Sequence, residues 1–441
     1  MQSVSKYQSY LLFAILISCI CCIHYFLFRE DTTLLLGAYS LGFLAFYFLS
    51  KSEHISWKEL LWLAIVSRLV LFFSLPNLSD DFYRFVWDGR LIFEGINPYA
   101  YPPDFFVDKI VEYQSLSPEL FQSLNSKPYF SIYPPLSQFI FWLSVVISPN
   151  SLEGSVLVMR SVILIFEIGS LFLLKSLLTQ NGLSTKNSIL YALNPLIILE
   201  LCGNLHFEGI MIFFLLLFIY LYQCSKIKQS AVAIALGITT KLVPLMFLPA
   251  VMRKLKQKKL IAFYGIVAVV MIASFLPFLD KAFITGWAGS LDLFFRKFEF
   301  NSGLFFLFRA IGFYFKGYDV IGTIGPLMSI TALILILSYC LFVIKKDSNI
   351  SVSLLVILFI QLTFATTVHP WYIIPLLAFS ATTNFRFPIV WSFLIFFTYS
   401  GYRANGFEHP FLVMAVEYLL VIPMAVIEIL NHHNINLRKM L

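Results

Sequence analysis

The sequence predicts an all-α polytopic membrane protein, and three observations predict it. Apolar runs close to the roughly 20 residues that cross a bilayer recur along the whole chain. Only 12% of the residues are charged, against about a quarter in soluble domains. The basic residues gather in short loops, as at Arg253, Lys254, Lys256, Lys258 and Lys259. The net charge of +7 therefore reads as positive-inside topology, and no nucleic-acid partner is expected. A soluble domain is excluded.

In chain order, the apolar runs lie near 10–28, 33–50, 59–76, 135–148, 156–178, 188–203, 209–224, 230–251, 260–279, 320–344, 350–367, 371–383, 387–401 and 411–430. They predict a bundle of about 12–14 hydrophobic segments. The first run follows Lys6 without a small-residue cleavage site and reads as a retained helix. The six cysteines sit in or beside apolar runs without CxxC spacing, as packing residues do. No short repeat or low-complexity linker divides the chain, so 1–441 reads as one transmembrane domain. Two stretches break the rhythm. Residues 77–134 are polar and Pro-rich; residues 280–319 are mixed, aromatic and amphipathic.

Orientation follows from Lys and Arg placement. Lys6, Lys51 and Lys58 mark one side of the first three helices as cytoplasmic, which puts Arg29 and the 77–134 loop outside. That loop holds eight of the 24 acidic residues and four of the 31 basic ones, which agrees with an extracytoplasmic position. Lys345-Lys346 and Arg438-Lys439 read as cytoplasmic, placing 280–319, His369-Pro370 and 402–410 outside. The count closes if 135–148 does not cross and 230–251 breaks at Lys241. A broken backbone at that depth requires a protein-lined or water-filled cavity.

The 77–134 loop opens with Ser79-Asp80-Asp81. Residues 81–94 predict an amphipathic helix at the membrane surface, with Phe82, Val86, Gly89 and Phe93 on one face and Asp81, Arg84 and Asp88 on another. Ser79 or Asp80 caps its start; Gly95 and Asn97-Pro98 stop it. Two readings of the acidic pair stand together: Asp80 caps the helix, and Asp81 is a carboxylate held at the boundary as a general base. Asp88 reads either as a site residue or as an ion pair with Arg84 one turn earlier. Tyr133, before Pro134-Pro135, reads as an interfacial residue on the loop's way into a helix.

The run Ser79-Asp80-Asp81-Phe82-Tyr83-Arg84, then Trp87-Asp88-Gly89-Arg90, Asn97-Pro98-Tyr99 and Tyr133-Pro134-Pro135-Leu136 resembles the bacterial GT-C mannosyltransferases. These are membrane glycosyltransferases that use polyprenyl-phosphate sugars. The pattern is more loosely similar to the GPI mannosyltransferase I family, whose first lumenal loop carries an Asp-x-Asp element. Further matching blocks are Asn204-Leu205-His206-Phe207-Glu208, Lys241-Leu242-Val243-Pro244, Phe298-Glu299-Phe300-Asn301 and His369-Pro370-Trp371-Tyr372. Asp80 and Asp81 are adjacent, without an Asp-x-Asp spacing, which leaves open which is the base and whether a divalent metal binds.

The resemblance implies a GT-C-like bundle with its catalytic loop at 77–134 and a lid from 280–319. It implies transfer of a hexose, mannose by likeness, from a polyprenyl-phosphate donor to a hydroxyl of a glycan or glycolipid acceptor. The transfer occurs on the extracytoplasmic face of a bacterial inner membrane, with inversion and an Asp base. Asp81 and Asp80 are the expected catalytic residues. Arg84, Asp88, Asn97, Tyr99, Tyr133, His206, Glu208, Lys241, His369 and Tyr372 are the expected substrate-binding ones. Lys241, Arg296, Lys297, Arg309, His369 and Arg403 are the cations available to a leaving phosphate. Lys241 leads them, because a lysine inside apolar sequence is costly unless paired or solvated. The competing class is a secondary transporter or flippase, which also has broken helices and embedded charge. Against it stand the absence of duplicated halves and the single acid-rich loop.

Overall fold

The computed structural model describes residues 4–280, 283, 286, 298–403 and 405–433. The described residues are mostly helical, as expected. Six described helices are long and apolar enough to cross a bilayer: Lys6–Phe26, Thr32–Ser50, Leu152–Gln180, Gln257–Phe278, Ile321–Val343 and Phe411–His432. A seventh unit, Pro195–Gly203 followed by Glu208–Gln223, is bent by 115° at its break. Shorter apolar helices fill the remaining runs, so the expected segments do not each make a full crossing. Pro135–Ile147 has 13 residues, roughly 20 Å at 1.5 Å per residue, too short for the hydrocarbon core.

Helices α1 (Lys6–Phe26), α2 (Thr32–Ser50) and α3 (Trp57–Leu69) start the bundle. Capping boxes open α1 at Ser5 and Gln8 and α3 at Ser56 and Glu59. Lys6 pairs with Glu59 at 2.7 Å, so these two starts share one end of the bundle. At the other end, Asn77 donates to the last carbonyls of α1, Ile23 and Leu27, at 2.9 Å each. This fastens the mouth of the first loop. The run 59–76 is shorter as a helix than its hydropathy suggests. After Leu69 the backbone unwinds into turns, and the freed carbonyls of Phe72 and Ser74 accept from Arg160.

Helix α4 (Asp81–Phe93) ends at Gly95, whose φ of +78° suits glycine. Its expected surface position needs correction. The apolar face does pack inward: a Cβ on Gly89 would come within 2.4 Å of the Phe141 carbonyl oxygen, so α4 lies directly on α6 (Pro135–Ile147), beyond the short α5 (Pro118–Gln122). The polar face is covered as well. Arg84, Asp88 and Arg90 are buried, and Phe93 is the exposed end. The rest of the loop folds over α4, with Phe106 and Phe121 against Trp87.

Helix α7 (Leu152–Gln180) carries the charges that the interior must neutralise. Arg68 donates to Glu167 at 2.8 Å and to the Ala64 and Ala192 carbonyls. Beyond the short α8 (Ile189–Ala192) and α9 (Pro195–Ile197), a π-helical turn at Ile198–Gly203 leads to the break before α10 (Glu208–Gln223). Leu205, buried in that break, has φ +65°, a conformation costing about 1–3 kcal/mol for a non-glycine residue. Arg160 holds the break. Its guanidinium donates to the carbonyls of Cys202 (2.7 Å), Gly203 (3.0 Å), Phe72 (2.7 Å) and Ser74. Backbone groups freed inside an apolar bundle need such donors. Helix α11 (Ile227–Thr240) likewise stops at Lys241, which is extended, and continues as a 3₁₀ helix over Val243–Val251. The predicted interruption is therefore real. Helix α12 (Gln257–Phe275) follows.

Arg160→Met keeps the bulk and removes the donors. It should lower the thermal unfolding temperature of the detergent-solubilised protein, with about 1–3 kcal/mol lost per orphaned carbonyl. Arg403→Met, at an exposed position, should leave unfolding unchanged. Equal unfolding temperatures for Arg160→Met and wild type would refute the clamp.

Candidate active site

The two broken helices and the start of the first loop meet at one end of the bundle. Asn204 makes the junction: its Oδ1 accepts from the Leu78 backbone N–H at 3.2 Å, which places Ser79-Asp80-Asp81 beside the 204–208 turn. Asp80 occupies the N-cap position of α4 but makes no capping bond with its side chain. It turns instead to Arg29, at 2.8 Å, because a charge-assisted pair outcompetes a neutral amide donor. Ser79 Oγ accepts from the Asp81 N–H at 3.4 Å.

Asp81 has the longest contact of the loop carboxylates that the fold encloses, the Asn125 amide at 3.4 Å. Burial pushes its carboxyl above the usual range; His206, the Asn125 amide and Lys241 pull it back, while Glu208 pushes it further up. Those charges reach Asp81 because they border the same cleft. Glu208, the first residue of α10, is buried and pairs with Lys241. The Lys241 ammonium lies 4.8 Å from the centroid of the Tyr372 ring, a cation–π contact. Tyr133 closes the near side, edge-on to Phe85 at 4.9 Å.

Aromatic rings form the far wall. His206 stacks on Trp371 at 3.7 Å, Trp371 on His369 at 4.4 Å, His369 on Phe300 at 4.4 Å and Phe300 on Phe407 at 4.9 Å. Phe407 meets Tyr402 edge-on at 5.1 Å, in the hairpin of β1 (Tyr402–Arg403) and β2 (Gly406–Phe407). Arg29 lies 5.0 Å from the Tyr402 ring. The arc thus runs from Arg29, beside Asp80, to His206, beside Asp81. Backbone pairing of Phe300 with Thr366 and Val368, at 3.2 and 2.7 Å, carries the late chain into it.

Asp81, Tyr133, His206, Glu208, Lys241, His369 and Tyr372 therefore lie close together. Other expected residues are committed elsewhere. Arg84 pairs with Asp88 at 2.7 Å and donates to the Tyr129 carbonyl at 2.8 Å. Asp88 also accepts from Ser131 and Gln138, at 2.5 and 3.0 Å. This buried network ties α4 to the loop's return. Asn97 donates to the Phe278 carbonyl and to Asp280, and Tyr99 to the Tyr133 carbonyl. Both fasten the loop and reach the cleft only through Tyr133. Arg309 is held by Glu299 and Asp319, at 2.7 and 2.6 Å, and Arg403 is exposed. Arg296 and Lys297, with the rest of 287–297 and residues 281–282 and 284–285 of the expected lid, lie outside the described residues.

Among the described residues no three His, Cys, Asp or Glu side chains converge as metal ligands. The donor set, with Asp80 taken by Arg29 and Glu208 by Lys241, does not fit a divalent ion. Sequence reasoning passed over Arg29, Glu200, Trp371 and Tyr399. Glu200 had a signal, an acid inside an apolar run; Arg29 had none, since only the fold brings it to Asp80.

Asp81 supplies a pH test. A carboxyl raised on folding favours the folded state below its unfolded pKa of 3.8; that contribution is lost as pH rises through the raised value. Asp81→Asn should therefore unfold at a higher temperature than wild type at neutral pH. The gap should close as the pH falls toward 3.8. A gap that is absent at neutral pH, or that widens on acidification, would contradict the burial of this carboxyl.

No curated protein matches the chain. The profile of the alpha-(1->6)-mannopyranosyltransferase N-terminal domain matches residues 25–256, which takes in the first loop, the 204–208 turn and Lys241. With more than half of its length matched, this multi-pass membrane protein belongs to the alpha-(1->6)-mannopyranosyltransferase family and is a mannosyl-transferring glycosyltransferase.

Proposed function

We propose that the protein moves mannose from a polyprenyl-phosphate donor to a hydroxyl of a glycan or glycolipid acceptor. The reaction takes place on the extracytoplasmic face of a bacterial inner membrane, with inversion at the anomeric carbon. The whole chain acts as one transmembrane domain, with 77–134 as its catalytic loop and 280–319 covering the cleft. One observation carries the reading: Asp81, a loop carboxylate with one long amide contact and no cation bonded to it, lies near an ammonium, Lys241, at the end of two broken helices.

The acceptor hydroxyl oxygen attacks the anomeric carbon while its proton passes to Asp81. The bond from that carbon to the phosphate oxygen breaks, and the electron pair leaves with the phosphate. Asp81 suits the base because burial raises its carboxyl toward the working pH, whereas Asp80 is committed to its contact with Arg29. Lys241 suits the leaving group because Glu208 and Tyr372 hold its ammonium in place before any phosphate arrives. His206, His369 and Tyr372 border the cleft from the aromatic side and would contact the sugars. Arg84, Asp88, Asn97 and Tyr99 act by fixing the loop that carries Asp81.

The purified protein should transfer mannose from a polyprenyl-phosphate mannose in detergent. Asp81→Asn should lower kcat by roughly 10²–10⁴, the range for a lost general base, while Asp80→Asn keeps most of the rate. Wild-type activity should fall as pH drops through the Asp81 pKa. Full activity in Asp81→Asn would refute the base. Movement of a lipid or solute across vesicles without transfer would refute the proposed reaction.

A further inference from the structure

Glu200 sits in the π-helical turn just before the break and is fully buried. Its Oε1 accepts from the Tyr399 hydroxyl at 2.8 Å, and its Oε2 from the Asn204 amide at 3.0 Å. Both donors are neutral. No Lys or Arg among the described residues pairs with it. The basic side chain within ion-pair distance among the described residues is His206, whose Nε2 stands 3.4 Å from the same Oε2. That Nε2 is buried without a hydrogen-bond partner. The backbone prepares the approach, since the His206 N–H donates to the Glu200 carbonyl at 3.2 Å. Glu200 lies in the π turn, and Asn204 and His206 just after it reach back to it; such turns recur at functional sites.

A buried carboxylate without a cation draws on every hydrogen-bond donor within reach. With Tyr399 on Oε1 and Asn204 on Oε2, the otherwise unpartnered His206 Nε2, 3.4 Å from Oε2, is the further donor this carboxylate faces, in keeping with hydrogen bonds that are long in ligand-free sites. The hydrogen bond made by one imidazole nitrogen decides which nitrogen carries the proton. We infer that Glu200 is a positioning residue for the transfer reaction: it fixes the proton of His206 on Nε2 and holds that ring flat on Trp371, so that Nδ1 is the atom presented to the Asp81 cleft. Tyr399 belongs to the same device, because it anchors the carboxylate from the 3₁₀ segment Ile395–Gly401. The inference rests on the proposed reading of the cleft for its catalytic consequence, but the tautomer itself does not.

The test has two arms on the full-length protein. Histidine-selective ¹⁵N labelling gives signals for seven histidines, and those lost in His206→Asn identify the residue. Wild type should show the proton on Nε2, and Glu200→Gln should show a mixture of tautomers. An unchanged His206 spectrum in Glu200→Gln would overturn the inference.

In the second arm, Glu200→Gln should lower kcat for transfer from polyprenyl-phosphate mannose roughly 10- to 100-fold. That is the range seen when a partner that orients a metal-bound histidine is removed. The loss should vanish when the substitution is made in a His206→Asn background, since the two act as one unit. Additive losses, or a wild-type rate in Glu200→Gln, would overturn it. Should Glu200→Gln not fold, Tyr399→Phe keeps the charge and removes one anchor; a smaller loss, again absent with His206→Asn, supports the device, and an additive loss overturns it. A fully active Asp81→Asn would sink the general base and leave the tautomer result standing.

Discussion

Everything near the cleft depends on one guanidinium. Arg160, buried in α7, satisfies carbonyls from two segments that leave helical geometry inside the bundle, 72–74 after α3 and 202–203 before α10. Without such a donor neither break is affordable in apolar surroundings. Because both breaks are held by the same group, they lie side by side. Asn204 then reaches Leu78, and the first loop starts next to the 204–208 turn. The positions of Asp81, His206 and Glu208 follow from a residue that touches none of them.

The second organising feature is how the acids are partnered. Asp80 has Arg29, Asp88 has Arg84, Glu208 has Lys241 and Glu167 has Arg68. Glu200 and Glu417 are answered by neutral donors, Tyr399 and Asn204 for the first, Trp391 and Asn301 for the second. Burial makes the pairings of Asp88, Glu167, Glu200, Glu208 and Glu417 necessary. Asp81 stands out by contrast, with a long contact to one amide. Under the proposed mechanism that is the state a base requires, near cations but not bonded to one. The same logic makes Lys241 more than a structural ion pair, because a second anion can share an ammonium held at the cleft edge.

Much of this was legible in the sequence where the signal was local. The helical break at Lys241, the short 135–147 helix, the stop of α4 at Gly95 and the mannosyltransferase likeness all come from residues close together in the chain. What was not legible depends on distant partners. Periodicity gave α4 a polar face, and periodicity alone assigns such a face to water; the loop's return at Ser126–Ser131 covers it instead. The same return turns Arg84 and Asp88 from cleft candidates into a buried brace. Asp80 looked like a cap because capping is decided by neighbours, while its real partner is 51 residues away. The arc of rings from His206 to Phe407 draws on four separate stretches, and no spacing rule joins them.

The central claim is that Asp81 and Lys241 face the two ends of one reacting bond. A cryo-electron-microscopy structure of the protein with a non-transferable polyprenyl-phosphate mannose analogue tests it directly. The account predicts the phosphate against Lys241, displacing or sharing its contact with Glu208, and the anomeric carbon on the line from that phosphate toward Asp81. A donor bound with its phosphate remote from Lys241, or with Asp81 on the same side of the sugar as the phosphate, would contradict it.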